Sequence, residues 1–274
     1  MDLSVTTDYA EDTGDPSPYL QRIAEAGFTH VHWCHHWNTD FLYSAPEVEQ
    51  IRRWLADYGL QLLDLHAPVG PRKNWASPRE CKRLAGVDLV RNRIEMTARL
   101  GADVAIMHIP ERPGCEPLRK SLAELEGLAR CLGVRLALEN GSFEAIGPVL
   151  AEHSPDYLGL CYDAGHGNMI AQGLDHLEAL RGRLISVHLH DNDGTADQHN
   201  LLFSGTVDWG RLARLMAASA YSKCISMELS MRSSGITGEA AFLARAFETG
   251  MRFSRMVDEQ RNVLRKGGTK GDEL

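Results

Sequence analysis

The chain lacks the compact signatures that mark many common enzyme classes. There is no glycine-rich phosphate loop, no Gly-x-Ser-x-Gly elbow and no zinc-finger spacing. P-loop nucleotide chemistry, α/β-hydrolase chemistry and small zinc modules are therefore unsupported. The six cysteines (Cys34, Cys81, Cys115, Cys131, Cys161 and Cys224) include no Cys-x-x-Cys pair. Cys161 in LGLCYD and Cys224 in SKCISME sit in apolar runs, where a small thiol packs as a hydrophobe, so reduced cysteines are expected. No apolar run is long enough to span a membrane, and the opening MDLSVTTDYA lacks the basic and apolar regions of a signal peptide. The expectation is a cytoplasmic protein with no membrane partner. Positive charge is scarce as well. With 29 Lys and Arg against 37 Asp and Glu, the net charge is −8, which speaks against nucleic acid, because phosphate contacts need a net positive face.

What is present is a regular alternation. Short apolar runs are separated by longer stretches of helical period, the pattern of βα units around a parallel sheet. The runs are LSVTT (3–7), THVHW (29–33), LQLLDL (60–65), DVAIM (103–107), VRLALE (134–139), YLGLCY (157–162), LISVHL (184–189) and KCISMEL (223–229). Helices are expected between them, several closed by glycine at Gly27, Gly59, Gly101 and Gly133. One helix is expected near 168–180 and a last one from Gly238 to about Asn262. Eight strands and eight helices in 274 residues, 43% of them hydrophobic, make a single (β/α)8 TIM barrel, which typically takes ~250 residues. The barrel is expected over residues 1–265, with KGGTKGDEL (266–274) as a disordered tail.

Six successive strands end in a His, Asp or Glu: His66, His108, Glu139, Asp163, His188 and Glu228. A parallel barrel gathers its C-terminal strand ends at one mouth, so these residues converge. Their types bind a divalent cation while leaving positions open for a substrate. Carboxylates ending strands as apolar as LALE and ISME are costly without a cation nearby. His166 lies one turn beyond Asp163 in CYDAGH. Asp197 and His199 lie in the loop after strand seven. His188 closes its apolar run and is the better ligand candidate, leaving His190 to contact substrate or cap the loop. His66 and His108 read as substrate contacts or as ligands of another metal. His35 and His36, with Trp33 and Trp37, could shape the pocket. Arg72 and Lys73 in GPRKNW read as solvated loop charges ahead of a grip on an anion.

In order, LDLHAP, LALEN, GLCYDAGH, SVHLHDNDGTADQH, GTVDW and SMEL resemble the xylose isomerase-like TIM-barrel superfamily of sugar-phosphate isomerases and epimerases, which also contains endonuclease IV. The resemblance covers nearly the whole chain. It implies one divalent cation (Mn²⁺, Zn²⁺, Co²⁺ or Mg²⁺) on Glu139, Asp163, His188 and Glu228, with Glu139 and Glu228 as the catalytic acid/base pair. His66, His108, His166, Asp197 and His199 then contact substrate or hold additional metal. The implied activity is proton transfer through an enediolate on a ketose, sugar phosphate or related polyol. The alternatives are a metal-dependent dehydratase of the inosose or dehydroshikimate type, an endonuclease IV-like repair enzyme whose nine ligand types are all present, and a sugar-binding barrel without turnover. Such barrels often form homo-oligomers. Two motifs depart from the family: GFTHVH has His32 where a Glu is usual, and LFSG (202–205) replaces a PGEG-like stretch. Both are expected to face substrate.

Overall fold

The computed structural model describes residues 2–10 and 14–268. Eight parallel strands form the centre: β1 (Leu3–Thr6), β2 (His30–Trp33), β3 (Gln61–His66), β4 (Val104–Met107), β5 (Arg135–Glu139), β6 (Leu158–Asp163), β7 (Leu184–His188) and β8 (Ile225–Met227). Around them lie α1 (Ser17–Glu25), α2 (Ala45–Asp57), α3 (Glu80–Arg99), α4 (Glu116–Leu132), α5 (Phe143–Glu152), α6 (Ala164–Met169), α7 (Gly173–Leu180), α8 (Trp209–Ala217) and α9 (Glu239–Gly268). Strand neighbours follow chain order from β1 to β7, and β8 pairs with β1. The ring closes between β7 and β8 through one bridge, Leu189 opposite Met227. There the Leu189 N–H donates to the Ser226 carbonyl at 3.0 Å, and the Glu228 N–H donates to the Leu189 carbonyl at 3.2 Å. The fold is the expected (β/α)8 barrel.

Strand residues alternate between two buried faces, which is why these runs are almost continuously apolar. Leu136, Leu138, Leu158 and Leu160 join the main core under the helices. Val104, Ile106, Ala137, Cys161 and Ile185 form a second, separate cluster. Ala137 lies two residues before Glu139, so this cluster is the barrel interior beneath β4–β7. On the β1–β3 and β8 side the interior is polar instead, with Ser4, His32, Asp64 and Ser226 all buried, and Ser186 of β7 reaches across to Asp64.

The glycine stops read from the sequence hold: Gly27, Gly59, Gly101 and Gly133 sit at φ values of 97°, 68°, 82° and 67°, where a side chain would be strained. The helix expected near 168–180 is corrected to two, α6 and α7. The Asp163 side chain accepts the His166 N–H at 2.7 Å and starts α6 directly at the strand end. Gln172, at φ 61°, then breaks the helix before α7. The final helix continues through Gly268, past the expected boundary at 265, and residues 269–274 of the expected tail lie outside the described residues. Among the described residues no helix is long and apolar enough to cross a membrane.

Candidate metal centre at the barrel mouth

Glu139, Asp163, His188, Glu228, His66, His108, His166, Asp197 and His199 lie together at the C-terminal mouth, and the structure sorts them into adjoining groups. Glu139, Asp163, His188 and Glu228 each place a ligand atom within 4.8 Å of the others. His188 Nδ1 lies 2.8 Å from Glu228 Oε2 and 3.3 Å from Glu139 Oε1. His188 is fully buried, yet neither of its ring nitrogens is in hydrogen-bonding alignment with these oxygens. Donors that crowd together without aiming at one another are arranged around a point between them. Three carboxylates and an imidazole make a donor set that fits a divalent cation.

Glu139 is surrounded by imidazoles. His66 Nε2 lies 3.1 Å from its Oε2, His108 Nε2 lies 3.5 Å from the same atom, and His166 Nδ1 lies 3.4 Å from Oε1. Burial would raise this carboxyl, but the electrostatic pull of the His108 and His188 rings holds it well below the usual carboxylate range. Glu228 follows the same logic, with His188 and then His199 outweighing burial. His66, His108 and Glu139 form a second group of converging donors, with the two rings stacked at 4.9 Å.

The third group contains His190, which the sequence left either to contact substrate or to cap the loop. His190, Asp197 and His199 converge, with His190 stacked on His199 at 4.1 Å and 9°. His190 Nε2 lies 3.1 Å from Asp163 Oδ2 and 3.5 Å from Asp197 Oδ1. It points inward and is fully buried, so it does not cap the loop. Asp197 Oδ2 also reaches His166 Nε2 at 3.3 Å and His199 Nε2 at 3.1 Å. Against the opposing effect of burial, Asp163 and Asp197 push His166 up to about 10, and Asp197 and Glu228 push His199 up to about 10.

Asn140 was missed. Its side chain accepts the Asp163 N–H at 2.6 Å and donates to the Asp163 carbonyl at 3.0 Å, clasping β5 to β6, while its own carbonyl lies 3.1 Å from His166 Nδ1. The LEN ending is the sequence signal that could have revealed it: a polar residue directly after the ligand of an apolar strand.

Of the residues after β2, Trp37 reaches the mouth, its ring 5.0 Å from that of His66 and 5.8 Å from that of His108. Trp33, His35 and His36 instead line a separate cavity with Tyr43 and Trp54. The backbone N–H groups of Arg72 and Lys73 bind Asp40, consistent with loop residues. His32 is fully buried inside the barrel on Asp64. In LFSG, Leu202 is buried, and Phe203 packs on Trp209 and Phe253 with Arg252 over its ring.

Carboxylates and imidazoles converge at the C-terminal mouth of a parallel barrel, where they could hold a cation. The chain belongs to the xylose isomerase-like TIM barrel family, whose description matches residues 20–255. It is similar to the Sinorhizobium fredii protein y4fM, 32% identical over 282 residues that cover 89% of this chain and 90% of that one. Among solved structures it superposes on a D-tagatose 3-epimerase-like protein with a TM-score of 0.76 at 22% identity, covering 95% of this chain and 99% of the other. It also superposes on L-ribulose 3-epimerase with a TM-score of 0.76 at 16% identity, covering 100% and 99%. At those identities the structural likeness establishes the fold.

Proposed function

We propose that the protein is a divalent-metal-dependent isomerase or epimerase that moves a proton through an enediolate on a ketose, sugar phosphate or related polyol. The observation that carries this reading is the placement of Glu139 and Glu228 on either side of one buried imidazole, within 3.3 and 2.8 Å of the same nitrogen. Epimerases of small ketoses among the similar folds support the substrate class.

Glu139, Asp163, His188 and Glu228 would hold the cation (Mn²⁺, Zn²⁺, Co²⁺ or Mg²⁺). The ion supplies positive charge that acidifies the carbon next to a sugar carbonyl and stabilises the enediolate oxygens. The remaining work falls to the chain. Glu228 is the more open carboxylate, its side chain 15% exposed against 2% for Glu139. It would remove the proton, and Glu139, arriving from β5 on the other side of β6 and β7, would return one. Trp37 offers an apolar face beside His66 and His108 that would shelter the intermediate from water. His66, His108, His166, Asp197 and His199 would contact the sugar hydroxyls or hold additional ions.

Incubation with candidate ketoses in deuterium oxide tests the reading. Deuterium at the carbon next to the carbonyl, with the skeleton retained, is expected. Loss of water would move the assignment to a dehydratase, and no exchange with any sugar would move it to a binding barrel. Three adjoining donor groups also favour a second reading, a multi-ion phosphodiesterase resembling endonuclease IV. The net charge of −8 weighs against a DNA groove, and cleavage of an abasic-site oligonucleotide by the metal-loaded protein would establish it.

A further inference from the structure

Beneath Glu228, β2 and its exit deliver two donors that no motif of the sequence had marked as ligands. His32 is fully buried and Cys34 is 1% exposed. Cys34 Sγ lies 2.9 Å from His32 Nε2 and 3.8 Å from Glu228 Oε1. The ring of His32 lies 4.4 Å from that of His188, and ligand atoms of His32, His188 and Glu228 fall within 4.8 Å of one another. Glu228 therefore shows different oxygens to two neighbours: Oε2 to His188 Nδ1 at 2.8 Å, and Oε1 to Cys34.

The far side of His32 is set as well. Its Nδ1 lies 2.7 Å from Asp64 Oδ1, and Asp64 Oδ2 accepts the Ser186 hydroxyl at 2.5 Å. A carboxylate behind an imidazole is the usual outer support of a metal-binding histidine. It accepts the hydrogen bond of the Nδ1–H and leaves the Nε2 lone pair facing forward, here toward Cys34. A buried Asp–His pair adds little net stability by itself, so its presence inside the barrel points to a job at the other end of the ring.

We propose that Cys34, His32 and Glu228 form a second, sulfur-containing metal position, joined to the carboxylate quartet through the two oxygens of Glu228. Thiolate, imidazole and carboxylate together suit Zn²⁺ or Co²⁺, whereas Mg²⁺ and Mn²⁺ favour all-oxygen surroundings. Cys34, His32 and Asp64 also line up as thiol, base and orienting acid. A nucleophile needs a free approach, however, and Cys34 is enclosed, with a carboxylate oxygen 3.8 Å away.

Cobalt titration of chelator-treated protein tests the site without turnover, so its outcome is separate from that of the epimerase assay. A saturable near-ultraviolet sulfur-to-cobalt charge-transfer band is expected. Cys34→Ser should lose the band and one equivalent of bound Co²⁺ while keeping the equivalent held by the quartet. Cys161→Ser, which removes the other buried thiol beside His188, should keep both. Zinc K-edge absorption on the unaltered protein should show a sulfur neighbour at about 2.3 Å, independent of any variant's folding. No band at saturating Co²⁺ with no sulfur shell around zinc, or a band that disappears with Cys161 and not with Cys34, overturns the proposal.

Discussion

Asp64 is the most exacting place to perturb this molecule. Its carboxylate is 1% exposed inside the barrel and makes two bonds, to the His32 ring at 2.7 Å and the Ser186 hydroxyl at 2.5 Å. Asp64→Asn keeps the shape and one acceptor but removes the charge and turns one oxygen into a donor. A hydrogen bond to a charged group contributes about 1.5–3 kcal/mol and a neutral one about 1. Losing two of the first kind and keeping one of the second costs about 2–5 kcal/mol. Urea unfolding of metal-free protein at pH 7 measures this loss directly. The pH dependence has a definite sign. Burial raises the Asp64 carboxyl, but the hydrogen bonds from His32 and Ser186 outweigh it and hold it below its ordinary value. A depressed carboxyl stabilises the fold above the unfolded pKa of about 3.9 and loses that contribution as pH falls through the folded value. The gap between the wild type and Asp64→Asn should therefore be full at pH 7 and close below about pH 4. A loss under ~1 kcal/mol at pH 7, or a gap that widens on acidification, would refute the argument.

Two further outcomes follow from the mouth. Glu139→Gln and Glu228→Gln should each lower turnover by at least about 10²-fold with the circular dichroism unchanged. Chelation should abolish activity, and Mn²⁺, Zn²⁺, Co²⁺ or Mg²⁺ should restore it; full activity after chelation and dialysis contradicts the metal assignment. Gly165→Ala would place a Cβ 1.9 Å from His190 Cε1, driving the buried ring off Asp163. Overpacking of this kind costs about 1–3 kcal/mol, so a lower urea midpoint and weaker cation binding are expected together. Calorimetry showing neither change would contradict the packing argument.

The convergence of the six strand-end His, Asp and Glu side chains was legible because each ends an apolar run and a parallel barrel leaves a strand end nowhere else to point. His32, Cys34 and Asp64 were not, for a reason of register. A bulge between Val31 and His32 shifts β2 against β3 and sets His32 directly opposite Asp64. Nothing in THVHW announces such a shift, so His32 read as a residue at the surface of the mouth. In LQLLDLH the period of two does put Asp64 on the face of His66, but the leucines around it disguise a charged interior position. His190 was hidden differently. It shares the inward face with His188, and only the missing side chain at Gly165 opens room for its ring. AGHGNM, rich in glycine, reads as a loop, although Asp163 caps it into α6.

The cylinder has one thin seam, where β7 meets β8 through two backbone hydrogen bonds at Leu189. His188 stands on one lip of that seam and Glu228 on the other, their side chains 2.8 Å apart. A cation shared between them would span the join like the pin of a clasp, adding a fastening that the longer β4–β5 and β6–β7 ladders do not need. The ion that serves the chemistry would thus also decide how readily the ring springs open, and the last strand and α9 with it.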